Sequence, residues 1–471
     1  MRAVSALAKF NRQRMPARRM PNPFLSGGNT PLQAEYTLTD LAVTGQIPPE
    51  LSGRYVRIGP NPMLPPLASV HAPSYHWFSG AGMVHGLRLA QGRAVWYKNR
   101  WVRSNAVSRA LGEPPAPGPR YFGDNANTHV AGLAGKTWAL VEAGAYPVEL
   151  DFDLNTVAHN NFEGTLRGSF SAHFHTDPTT GDSHAVCYAG NDQKYIRHVV
   201  VGADGRVRRE ERIPVLHGPS VHDCMVTENY VLVLDLPVTF SLKTYIAGFE
   251  FPYVWNAKHR ARVGVLGKNA PAASIIWCDI SPCYVFHPSN AFENADGSIN
   301  LDVVAHTSMF EHSNIGPNSA DSALERWTID LNTKSVARRV LDARPQEFPR
   351  LNEAYISRDY RYCYTVALKR DDTQQFVSDQ FLLKHDLQTG TRSQHDFGAG
   401  QYPSEFVFVA RAGSQFEDDG WLMGYVVDSN TQTTQFHILN AQDMVAAPVA
   451  SVHIPHAIPA GFHGNWIASA A

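Results

Sequence analysis

The sequence predicts an all-β chain whose sheets are arranged radially, as the blades of a propeller, and three observations carry that expectation. From about Tyr36 onward, short runs rich in β-branched and aromatic residues alternate with turn signals, the pattern of many short strands. The composition agrees: 35 Gly, 31 Pro and 11% aromatic residues suit tight turns better than long helices. A turn phrase also recurs, as Asp153-Leu154-Asn155-Thr156, Asp330-Leu331-Asn332-Thr333 and Asp386-Leu387-Gln388-Thr389, each after an apolar or aromatic run. Repeated phrases of this kind suggest repeated antiparallel sheets, and radial repetition arranges many short strands without long open edges. The spacing is too irregular to count blades.

The elements follow in order. The first twenty residues carry Arg2, Lys9, Arg12, Arg14, Arg18 and Arg19, with no acid before Glu35 and no apolar core of a signal peptide. Residues 1–35 therefore read as a basic, disordered leader, with a weak contact to anionic lipid headgroups as the sharper alternative. Residues 36–471 read as one propeller domain. Gly53 to Gly59 alternates as a strand and ends at Gly59-Pro60-Asn61-Pro62. Met83–Leu89 and Ala94–Lys98 form a hairpin across Gln91-Gly92, and similar turns are expected at 177–181, 202–205 and 294–297. Asn105 to Tyr121, with four prolines, reads as a long loop. Residues 237–271, rich in aromatic and apolar side chains, read as a cap over a cavity or a patch facing something apolar.

Charge and cysteine usage narrow the function classes. A net charge of -2 gives no electrostatic case for nucleic acid. Five cysteines without a C-x-x-C suggest neither a disulfide framework nor a thiolate metal site, and point to a reducing, cytoplasmic compartment. No apolar run is long enough to span a bilayer as a helix, so any membrane contact is expected to be peripheral.

Of 21 histidines, four stand out by context. His173 follows Ser171-Ala172 before a turn, and His222 lies in Ser220-Val221-His222-Asp223. His287 follows Tyr284-Val285-Phe286, and His463 stands between two glycines in Gly461-Phe462-His463-Gly464. Each marks an end of an apolar strand, and strand ends of successive blades converge near a propeller's axis. Imidazole suits iron, copper, nickel and zinc. Four neutral imidazoles leave a divalent charge uncompensated, so carboxylates are expected behind them, each accepting the other ring N–H. Glu142, Glu347 and Glu405 lie in apolar or turn contexts that fit this role, structural ion pairs being the alternative reading for each.

These segments closely resemble the carotenoid cleavage oxygenase family, which includes stilbene-cleaving enzymes and the retinoid isomerase of vision. The resemblance runs from about Leu41 to Trp466. It is carried by the Gly53–Pro62 stretch, His76-Trp77-Phe78, Ala172-His173 with Asp177-Pro178, Val221-His222-Asp223 and Phe286-His287 with Asn290-Ala291-Phe292-Glu293. Glu347-Phe348-Pro349-Arg350-Leu351-Asn352, Tyr402-Pro403-Ser404-Glu405 and Gly461-Phe462-His463-Gly464 complete it in family order. It implies a seven-bladed propeller with a loop and helical cap over the metal-bearing face, and one Fe2+ held by His173, His222, His287 and His463. It also implies orienting roles for Glu142, Glu347 and Glu405, with His173 lacking a glutamate partner, and a place for Thr128 beside a vacant coordination position. The implied reaction is cleavage of a C=C bond of a hydrophobic conjugated alkene by O2, giving two carbonyls. Stilbene-cleaving relatives hold a phenolic hydroxyl with a lysine directly before the glutamate matching Glu142 and with an upstream tyrosine. Here that position is Val141, and Arg103–Ser108 offers no tyrosine. The expected substrate is therefore a carotenoid or apocarotenoid, with a stilbene or phenylpropanoid alkene as the alternative. A further departure is Gly80-Ala81-Gly82, where many relatives have an aspartate between the glycines.

Overall fold

The computed structural model describes residues 2–63, 72–317, 321–369 and 378–469. Seven antiparallel sheets follow one another around an axis. Blade 1 is built from His129–Leu133, Lys136–Leu140, Val148–Leu150 and Thr156–His159. Blade 2 runs from His175–Thr176 to Val207–Pro214, and blade 3 from Cys224–Val226 to Ile276–Asp279. Blade 4 runs from Tyr284–Glu293 to Ser335–Asp342, and blade 5 from Gln346–Arg350 to Thr391–Asp396. Blade 6 takes its outermost strand, Val43–Gly45, from the front of the chain, where it pairs with Ala450–Ile454. Blade 7 is closed the other way: its innermost strand is the terminal Gly464–Ala468, paired antiparallel with Gly53–Pro60. The ring thus shuts only when both ends of the chain have been exchanged between adjacent blades.

Because each blade packs between two neighbours, its inner strands are buried on both faces and lose their alternation. Gly53–Pro60 is buried at every position, as is Gly420–Asp428 up to its last residue. The outer strand Ser335–Asp342, with one face in water, has no fully buried residue. The hairpin at Gln91-Gly92 has both residues at positive φ, +51° and +71°, the geometry of the tight turn that matches strand twist. The recurring Asp phrase has a local cause: Asp330 Oδ1 accepts from the N–H groups of Asn332 and Thr333, and Asp386 Oδ1 from those of Gln388 and Thr389. Asp428 makes the same turn with Asn430 and Thr431. In blade 1 the turn is made instead by Asp151, whose Oδ1 accepts from Asn155 N, so Asp153 is not its pivot.

Three expectations need correction. The leader is not without structure: helix α1 (Arg2–Gln13) lies along it. Within the loop expected from Asn105 to Tyr121, the helix α2 (Asn105–Leu111) forms, capped by Ser104, whose Oγ accepts from Val107 N at 3.2 Å. The 237–271 insertion is shorter than expected, since Arg262–Gly267 is a core strand of blade 3, its apolar run being buried between blades. The cap proper is a hairpin, Val238–Phe240 with Tyr253–Trp255, that carries helix α3 (Leu242–Ile246) at its tip.

The same cap explains why the leader orders. Asn11 Nδ2 donates to Ile246 O at 2.7 Å, Arg12 Nε to Gly248 O at 2.8 Å, and Tyr245 OH to Ser5 Oγ at 3.1 Å. Gly248 has φ +100°, and a Cβ there would lie 2.6 Å from Arg12 N, so no other residue lets α1 approach so closely.

Candidate metal centre

Four inner strands bring one histidine each to the axis, three just before a strand and His287 inside one rather than at the end expected. His173 stands just before His175–Thr176, with its N–H donated to Ser171 Oγ at 3.1 Å. His222 stands just before Cys224–Val226, and His463 just before Gly464–Ala468. His287 lies within Tyr284–Glu293, where the pairing register shifts between Val285 and Pro288, an irregularity that re-aims a side chain out of the pleat. All four are buried, and one ring nitrogen from each lies within 4.8 Å of the others. Ring centroids are 4.6 Å apart for His173–His463 and His287–His463, and 4.7 Å for His173–His222. His222 Nε2 and His287 Nε2 approach to 3.2 Å, and His173 Nε2 is buried without a hydrogen-bond partner among the described residues.

Behind them stand the three glutamates. Glu347, fully buried, takes His287 Nδ1 at 2.7 Å on one oxygen and His306 Nε2 at 2.7 Å on the other. Glu405 takes His463 Nδ1 at 3.0 Å and Gly464 N at 2.9 Å, with Arg350 Nη1 at 3.6 Å. Glu142 Oε1 lies 3.1 Å from His222 Nδ1 and also accepts from Tyr188 OH and from Ser220 Oγ at 3.1 Å. Burial alone would push these carboxyls up, but their partners outweigh it. His222, Tyr188 and Ser220 bring Glu142 down, His287 and His306 bring Glu347 far down, and Arg350 with His463 brings Glu405 down to about 2. Burial pushes His173 well below the ordinary imidazole range, and the neighbouring imidazoles push the same way. His287 goes up on balance, since Glu347 overrides the effect of its burial. His173 has no glutamate; its nearest carboxylate oxygen is Asp223 Oδ2 at 3.6 Å, beyond hydrogen-bond length.

Two unlike spaces flank the cluster. On one side a cavity of about 20 Å³ is walled by Trp77, Phe78, Phe286, Phe348 and Phe462. Thr128 lines it as well, its Oγ1 donating to Asn127 Oδ1 at 3.0 Å. Pro317 joins this wall to an outer vestibule of about 740 Å³, between the 15–26 segment, Phe249 and His312–Ile315. On the other side an axial channel of about 360 Å³ is lined by polar groups, among them His129, His175, Asp223, Arg350 and Asn465.

All eight site residues singled out in the sequence meet here. Others were not foreseen: His306 and Arg350, which share the glutamates; Tyr188 and Ser220, which load Glu142; and His129 and Asn465 on the axial side. Only adjacency signals any of them, since His129 follows Thr128 and Asn465 follows the His463-Gly464 pair. The donor set fits a divalent transition ion: four imidazoles close enough to share it, a carboxylate oxygen within 3.1 Å of Nδ1 on three of the rings, and His173 Nε2 buried without a partner among the described residues.

Comparison with known proteins agrees with this geometry. Residues 29–468 match the family model described as retinal pigment epithelial membrane protein. A carotenoid cleavage oxygenase of Mycobacterium tuberculosis is 39% identical over 94% of this chain and 97% of its own length. A carotenoid 9,10(9',10')-cleavage dioxygenase of Crocus sativus is 31% identical over 95% of this chain and 89% of its own. Among solved structures, cobalt-substituted Synechocystis apocarotenoid oxygenase superposes with a TM-score of 0.80 at 25% identity, covering 94% of this chain and 98% of that one. The lignostilbene dioxygenase of Pseudomonas brassicacearum superposes with a TM-score of 0.83 at 23% identity, covering 97% of this chain and all of that one.

Proposed function

The chain belongs to the carotenoid cleavage oxygenase family, and from that membership we propose that it is a non-haem Fe2+-dependent dioxygenase. Its reaction would split a C=C bond of a carotenoid or apocarotenoid with O2 into two carbonyl products. The observation that carries this reading is the convergence of His173, His222, His287 and His463, three of them backed by a buried glutamate. In this reading the four imidazoles hold one Fe2+, and Glu142, Glu347 and Glu405 fix their tautomers and tilt. When bound, iron supplies the one-electron path that a spin-paired alkene needs to react with O2. The protein's own part is positioning. Trp77, Phe78, Phe286, Phe348 and Phe462 wall the apolar side of the cluster, and in this reading a flat conjugated chain would lie against the faces and edges of these rings. Thr128 would crowd the approach next to His463, whose N–H donates to Thr128 O at 3.1 Å.

The substrate assignment rests on which hydroxyl partners are free. Near Glu142, the hydroxyls of Tyr188 and Tyr284 both lie within hydrogen-bond reach of Ser220 Oγ, which favours the alternative of a stilbene or phenylpropanoid alkene. They are already committed, to Glu142 and to each other, and Val141 offers no donor. An apolar polyene needs none of them.

We further propose that residues 36–471 act as one propeller unit and that contact with a membrane is peripheral, in a cytoplasmic protein. Leu7, Phe10, Met20 and Leu242 are exposed near Lys9, Arg12 and Arg14, which supports attraction to an anionic surface. No helix among the described residues is long and apolar enough to cross a bilayer, and all five cysteines are buried and unpaired. The test of substrate is turnover by Fe2+-loaded protein of a panel of apocarotenals and hydroxystilbenes, read by mass spectrometry. Cleavage of apocarotenals is expected; cleavage confined to phenolic alkenes would overturn the assignment.

A further inference from the structure

His173 is the odd member of the cluster, with no carboxylate at hydrogen-bond distance from its Nδ1. The backbone just before it is held by a fifth histidine. His129 is buried on the axial side, its ring 5.9 Å from that of His173 with planes 29° apart, and 5.4 Å from that of His463. Its Nδ1 lies 2.7 Å from the carbonyl oxygen of Ala172, the residue directly before His173. Its Nε2 lies 2.7 Å from Asn465 Nδ2, two residues beyond His463.

The network fixes every proton in this bridge. Arg350 Nη2, which can only donate, lies 2.8 Å from Asn465 Oδ1, while the carbonyl of Val130, which can only accept, lies 3.1 Å from Asn465 Nδ2. The amide nitrogen therefore faces His129, and His129 Nε2 accepts. Its proton then sits on Nδ1, where the Ala172 carbonyl requires a donor. Both contacts are satisfied by a neutral ring, and burial holds His129 far below ordinary imidazole, at about 3. The bridge continues from Asn465 through Arg350 to Glu405 and so to His463 Nδ1.

We propose that His129 is a positioning residue: a fifth imidazole that fixes the backbone carrying His173, the one ring with no glutamate behind it, and that ties this backbone to the His463 strand through Asn465. It makes binding of the ion depend on seating the terminal strand, because Asn465 belongs to Gly464–Ala468. This rests on the four-histidine metal reading. Contacts of this kind, one shell behind the ligands, carry roughly 10–100-fold in metal affinity.

The test is Co2+ titration of the full-length chain, with chelator competition for affinity and the visible cobalt absorption for ligand geometry. His129→Phe keeps a flat buried ring but removes both hydrogen bonds. It is expected to lose roughly 10–100-fold in Co2+ affinity with an altered cobalt spectrum, and His129→Asn, which restores a donor near Ala172 O, to recover part of both. Asn465→Leu breaks the same bridge from the other end and is expected to behave like His129→Phe, including where His129→Phe does not fold. Binding by these variants within about twofold of the wild type, with an unchanged spectrum, would overturn the role of His129. A wild-type chain that takes up no Co2+ would overturn the metal reading itself, and this proposal with it.

Discussion

Replacing Glu405 by glutamine tests the site's electrostatics with a number attached. The Glu405 carboxylate meets His463 Nδ1, Gly464 N and Arg350 Nη1, and these hold its pKa at about 2 although burial alone would raise it. An ordinary carboxyl lies near 4.5. The gap of about 2.5 units corresponds to roughly 3 kcal/mol in favour of the charged folded form at neutral pH. The sign follows from the downward shift: this stability is complete above about pH 4.5 and is lost as pH falls toward 2. Glu405→Gln has no charge to lose. In urea titrations of metal-free protein, the wild type is expected to exceed the variant by about 3 kcal/mol at pH 7 and by about half that at pH 3. A difference that is the same at both pH values would refute the electrostatic account, and no difference at pH 7 would refute the ion network altogether.

Other perturbations separate the parts of the site. His222→Ala is expected to abolish stoichiometric Co2+ or Fe2+ binding, measured by metal analysis after gel filtration, while the propeller's circular dichroism is kept. Deleting residues 462–471 removes His463 and the inner strand of blade 7, and is expected to abolish metal binding as well as to lower thermal stability. Gly248→Ala forces a Cβ to 2.6 Å from Arg12 N at a φ of +100°, so α1 should detach from the cap. Limited proteolysis should then cut the leader faster, with metal affinity unchanged.

The radial architecture was legible because its causes are local. Turn chemistry at Asp330 and Asp386 and the hairpin at Gln91-Gly92 are written in adjacent residues, and they recur. The four histidines were legible for a related reason: each has small or apolar neighbours, where an unexplained imidazole stands out, although only three stand at strand ends and His287 lies inside Tyr284–Glu293. What stayed hidden depends on which blades become neighbours. His306 shares Glu347 with His287 because adjacent strands of blades 4 and 5 face each other, and nothing around His306 announces it. His129 and Asn465 meet only when the terminal strand closes the ring, 336 residues apart in sequence. The leader helix was not legible because its order depends on the tip of the cap, which it reaches through Asn11 and Arg12 to Ile246 and Gly248.

Labelled oxygen shows whether four histidines hold an iron that cleaves a C=C bond with O2. Wild-type protein loaded anaerobically with Fe2+ would be mixed with an apocarotenal and isotopically labelled O2, and both fragments trapped and weighed. One labelled oxygen atom is expected in each new carbonyl, with His463→Ala inactive. Cleavage without label in either product, or undiminished cleavage by His463→Ala, would contradict it.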